Sequence, residues 1–130
     1  MHATGTFTVN LAPLPLHAPD PTRARFSIDK QFSGDLAGTS QGEMLTAGTD
    51  VKGSAGYVAI ERVTATLHGK SGSFALQHSG SMNRGTPSLL ITIVPDSGTG
   101  DLAGIAGTFS LDIADGLHSY DLEYTLGELK

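Results

Sequence analysis

Apolar side chains recur at every second position along nearly the whole of this chain, and no stretch of useful length carries the three-and-four spacing of an amphipathic helix. A period of two is the mark of a strand with one buried face. The clearest case places Ala24, Phe26, Ile28, Lys30 and Phe32 on one face and Arg25, Ser27, Asp29 and Gln31 on the other. The longest, residues 55–68, sets Tyr57, Ala59, Glu61, Val63, Ala65 and Leu67 against Val58, Ile60, Arg62, Thr64, Thr66 and His68. The chain is therefore expected to be all-β.

Turn chemistry divides it into about eight strands. Ala3, Gly5, Phe7, Val9 and Leu11 mark the first, from about 3 to 11. Pro13, Pro15, Pro19 and Pro21 then break regular structure, since proline fixes φ and lacks an amide donor; the 12–22 segment reads as a surface crossover or flap. SGDLAG at 33–38 supplies a bend, and a strand follows over about 39–47. GKSG at 69–72 reads as a hairpin turn, and pairing Leu67 with Phe74 would set Val63 beside His78. MNRGTP reads as a loop, and the near-continuous apolar run SLLITIVP as a strand buried on both sides. After PDSGTGDLAG comes a strand at about 105–114, the hairpin signal Asp115-Gly116, and a last strand LHSYDLEYTL. Eight strands with short connections fit a single domain, residues 1–130, closed as an antiparallel barrel without exposed edges. The 17 glycines suit its corners and bulges.

GDLAG occurs at 34–38 and at 100–104, and GKSGSFAL resembles GIAGTFSL. We read these echoes as recurring turn chemistry, with duplication of a strand unit as the alternative.

Several functions are disfavoured. The net charge is -5, from 13 acidic and 8 basic residues, without the basic cluster that nucleic acid or an anionic membrane surface requires. No apolar run reaches the roughly 20 residues that cross a bilayer as a helix. The opening MHATGTFTVN reads as a strand rather than a signal peptide. There is no cysteine, which fits a reducing cytoplasm and excludes thiolate chemistry. Of the five histidines only His68 and His78 are hairpin neighbours, and on opposite faces; no HExxH or calcium loop occurs. No metal or cofactor is expected.

The polar residues out of place are Lys30, Glu61 and His78, each in phase with apolar neighbours. A charge buried without a partner is costly, so their placement needs an account. The proposed hairpin brings Glu61 and His78 diagonally together, where one could orient or protonate the other. Tyr57 adds a hydroxyl and Lys30 a cation. The plainer reading is a structural one: Lys30 and Glu61 pair or snorkel at a barrel end, and His78 is a hydrogen-bonded core residue. Tyr120, Leu122, Tyr124 and Leu126 share a face with His118 and read as packing.

Taken in order, MHATGTF, KQFSGDLAGTSQGEML, GYVAIERVTATLHGKSGSFALQHSG, VPDSGTGDLAGIAGTFSLDI and SYDLEYTL resemble the DUF3224 family of small bacterial proteins of unknown function. The resemblance implies an eight-stranded antiparallel barrel similar to the allene oxide cyclase barrel, often dimeric. It transfers no catalytic set. Three functions remain open: binding of a small hydrophobic ligand inside the barrel, cofactor-free cyclisation or isomerisation of a lipid-like or polyketide-like molecule, and a structural or interaction role of the outer sheet face, as in a homodimer.

Overall fold

The computed structural model describes residues 1–127. Eight long strands form one closed antiparallel barrel: β1 (His2–Leu14), β2 (Arg23–Gly34), β3 (Leu36–Gly48), β4 (Ala55–Leu67), β5 (Lys70–Asn83), β6 (Thr86–Ile93), β8 (Ile105–Ala114) and β9 (Leu117–Leu126). Each long strand pairs with the next along the chain, and β9 returns to β1 to close the wall. The two-residue β7 (Thr99–Gly100) takes over pairing at the lower part of β5, opposite Gly72 and Ser73, where β6 has ended.

Three of the connections are two-residue hairpins: His68-Gly69, Arg84-Gly85 and Asp115-Gly116, all six residues with positive φ. That is the turn whose twist matches paired strands. Only Asp115-Gly116 carries the usual sequence signal. The other two place His68 and Arg84 in the left-handed region, so the real turns are tighter than GKSG and MNRGTP suggest. The β4–β5 register is corrected accordingly. Leu67 pairs with Lys70, not Phe74; Val63 lies opposite Phe74 and Ala59 opposite His78. The displacement is by an even number of residues, so every side chain keeps its face.

Two further expectations are corrected. The strand β1 continues through Pro13 to Leu14. Its ladder with β9 ends at Phe7, so beyond that point its other side is an edge, where a missing N–H is tolerated. In β6, Ile91 and Ile93 are buried but Ser88, Leu89 and Leu90 are exposed. The strand is not covered on both sides: Leu89 faces inward at an open barrel end, and Leu90 faces outward to solvent.

The opposite end is closed and packed. Phe7, Phe32, Phe109 and Tyr120 form an aromatic cluster with ring centres 5.6–6.3 Å apart. The Tyr120 hydroxyl accepts the Leu36 N–H at 2.9 Å and lies 2.9 Å from the Ser33 carbonyl, tying down the β2–β3 corner. Leu36 and Leu102, the leucines of the two GDLAG segments, are both 0% exposed and seal this end. No helix among the described residues is long and apolar enough to cross a membrane.

Candidate functional site

Unbroken ladders from β2 to β6 stack the inward side chains in rows. One row runs Lys30–Ser40–Val63–Phe74, the next Ile28–Gly42–Glu61–Leu76–Ile93, the next Phe26–Met44–Ala59–His78–Ile91. Above these, toward the open end, lies Thr46–Tyr57–Gly80–Leu89. The polar residues thus sit between the aromatic core and the mouth.

Lys30, Glu61 and His78 come together, with Tyr57 one row above. Glu61 is 0% exposed. Its Oε2 accepts from Lys30 Nζ at 2.8 Å and meets His78 Nε2 at 2.6 Å; its Oε1 accepts from Ser40 Oγ at 2.7 Å. Burial alone would raise its pKa. The bonds from His78, Lys30 and Ser40 and the charge of Lys30 outweigh that and hold it at about 2. Glu61 is therefore a carboxylate, and the His78 nitrogen facing it must carry a hydrogen. That leaves Nδ1 with a bare lone pair when the ring is neutral. Lys30 Nζ also lies 5.0 Å from the centre of the Phe7 ring, a cation–π contact.

Gly42 makes the cluster possible on β3. A Cβ there would fall 2.0 Å from the Ile60 carbonyl oxygen and 2.8 Å from Glu61 Cβ. Gly80 does the same above His78: a Cβ would lie 2.4 Å from a carbon of the Tyr57 ring, so that ring rests on the bare backbone of β5. The Tyr57 and His78 rings are 6.3 Å apart. Burial, with the Glu61 charge, raises the Tyr57 pKa and keeps the phenol protonated.

Among the described residues no buried side-chain nitrogen or oxygen lacks a partner. Yet among the described residues His78 Nδ1 and the Tyr57 hydroxyl bond no protein atom, which leaves both open to solvent. The route is visible in the apolar side chains above. Leu11, Met82, Leu89 and Ile113 share the inward phase of the core but are 46%, 41%, 45% and 58% exposed. Phe26 and Met44 are half-buried. The open end is thus a cup edged by exposed apolar side chains, above a charged floor in which the Glu61 oxygens are both bonded and His78 Nδ1 is not.

Sequence reasoning missed Ser40. It lies in phase on β3 between Gly38 and Gly42, and a small hydroxyl among glycines offers no contrast. The apolar residues that the sequence places on the second face of β4, Val58 and Ile60, join Leu45 and Leu90 in an exposed row on the outer wall, with Leu45 opposite Val58. This row borders an open groove of about 850 Å³ that the flap residues Leu16 and His17 also line. Among the described residues no group of three or more His, Asp or Glu could hold a metal ion.

The family model described as a protein of unknown function, DUF3224, matches residues 3–124. A crystal structure of a protein of unknown function from that family in Shewanella oneidensis MR-1 is similar over 99% of this chain and 98% of its own, with 44% identity and a TM-score of 0.94. No curated protein matches.

Proposed function

The chain belongs to the DUF3224 family, whose function is unknown, and from its own geometry we propose that it binds a small hydrophobic molecule in the open end of the barrel. One observation carries this reading: side chains in core phase stand open to solvent directly above a satisfied polar floor. Pockets for small molecules have this make-up, apolar walls with a few placed polar groups. The absence of cysteine suits a cytoplasmic setting. Titration with 1-aminoanthracene, a neutral apolar fluorophore, tests it. Saturable enhancement is expected at one probe per chain, weakened about tenfold or more by Met44→Arg, which puts a charge in the cup, and unchanged by Val58→Lys on the outer wall. Binding that ignores Met44→Arg and disappears with Val58→Lys would move the site outside the barrel.

A second reading is supported by the outer row of Leu45, Val58, Ile60 and Leu90. Flanked by the Arg25–Glu43 ion pair and by Arg62, it presents both charge signs beside an apolar strip, so that the patch can complement a copy of itself across a two-fold axis. The partner in this reading is a second copy of the chain. Sedimentation should show a dimer that Val58→Lys converts to monomer; a wild-type monomer at all concentrations would end it.

A further inference from the structure

The polar floor has more structure than a passive binding site needs. Glu61 spends one oxygen on holding His78 Nε2, and Lys30 and Ser40 hold Glu61. Three buried side chains therefore fix one imidazole, with its other nitrogen turned to the solvent-reached side. Orienting a histidine through one ring nitrogen so that the other acts as base is a recurrent arrangement in proton transfer. Beside it stands an unpartnered phenol, positioned by the missing side chain of Gly80. Acceptor and donor rings are 6.3 Å apart, close enough to serve one small molecule.

We infer that the cup takes an enolisable carbonyl compound with an apolar tail, and that His78 and Tyr57 move its α-proton. This rests on the cup being the binding site. The tail lies among Phe26, Met44 and Leu89. The carbonyl oxygen accepts the Tyr57 O–H. His78 Nδ1 takes the α-hydrogen as a proton; the C–H bond breaks and its electron pair passes to the carbonyl oxygen as an enolate. The Glu61 carboxylate stabilises the imidazolium that forms. Return of the proton to the same carbon gives exchange, and return to a conjugated carbon gives the double-bond isomer. Nothing else is consumed. His78 and Tyr57 are the catalytic residues; Glu61, Lys30 and Ser40 position them.

The probe is 2-nonanone in D2O, followed by proton NMR, with nonane as the tail-only control. The groups facing His78 are Glu61 and Tyr57 from β4 and Lys30 from β2. Deuteration at the α-carbons is expected at least about a hundredfold faster than with equimolar free imidazole, the usual span of positioned acid–base catalysis. His78→Gln should abolish it. Tyr57→Phe, which removes only a half-buried hydroxyl, should slow it tenfold or more while leaving nonane affinity unchanged. Glu61→Gln should move the pH profile rather than merely lower it. If 2-nonanone and nonane both displace 1-aminoanthracene but exchange is no faster than with imidazole, the proton-transfer inference fails and the cup stands. Exchange that persists in both His78→Gln and Tyr57→Phe also overturns it. If neither compound binds, the cup reading falls with it.

Discussion

The two ends of this barrel are built from the same alternating pattern and put to different ends. At the closed end, Phe7, Phe32, Phe74 and Phe109 fill the space between the walls, and Leu36 and Leu102 seal it. At the open end the walls continue, but their inward side chains are half-buried or exposed. Leu11, Leu89 and Ile113 keep the inward phase without reaching burial. Between the two lies the layer of Lys30, Ser40, Glu61 and His78. A barrel that needed only stability would continue the aromatic filling upward, because replacing a buried ion cluster by well-packed apolar groups is often neutral or stabilising. The contrast teaches that packing is concentrated in one half, and it is the other half that holds the proposed ligand site.

Truncating an aromatic ring at each end gives the largest contrast. Phe74→Ala removes a fully buried ring and should cost about 3–5 kcal/mol in urea unfolding. Phe26→Ala removes a ring of the same size and phase at the half-buried mouth. It should cost about 1–2 kcal/mol, since less apolar area returns to water. Equal losses at the two positions would show that the mouth is as tightly packed as the core.

The sequence reveals the phase of this barrel better than its depth. Alternation sorts the residues of β2, β4 and β9 into two faces; on β4, where Val58 and Ile60 oppose Ala59 and Val63, it leaves open which of them turns inward. It says nothing of a register slip by an even number, which is why the β4–β5 pairing was displaced and the faces were not. That pairing hangs on whether His68 accepts positive φ, a choice with no clear signal in the residue. Lys30, Glu61 and His78 stand out as polar letters in apolar rows, and their grouping follows from phase plus neighbouring strands. Ser40 does not stand out. Nor does the cup itself: Phe26 and Leu89 read as core residues, and whether such a residue is covered depends on what stands opposite it across the barrel. Leu90 of SLLITIVP misleads for another reason, since it faces outward on a wall open to solvent.

A smaller effect, and the sharpest on the boundary between the halves, is acid lability. Glu61 titrates at about 2 in the folded chain against an ordinary value of 4.5. A depressed folded value means that the contribution is complete above the unfolded pKa and is lost as pH falls through the folded one. The gap corresponds to at most about 3 kcal/mol, present at neutral pH and disappearing between about pH 4.5 and 2. Exposed Asp20, held at about 2 by Thr22 and Arg23, adds acid sensitivity of its own, so the wild type alone does not isolate Glu61. The triple variant Lys30→Met, Glu61→Leu, His78→Leu does, because Asp20 remains in both proteins. Its neutral-pH stability should match or exceed the wild type, and its loss between pH 7 and 2.5 should be smaller by up to the same amount. A lone Glu61→Gln, which leaves Lys30 buried without its counter-charge, should instead be destabilised at neutral pH. If the triple variant were as acid-labile as the wild type, the charged floor would contribute no pH-dependent stability. The division between a packed end and an open one would then rest on the aromatic truncations alone.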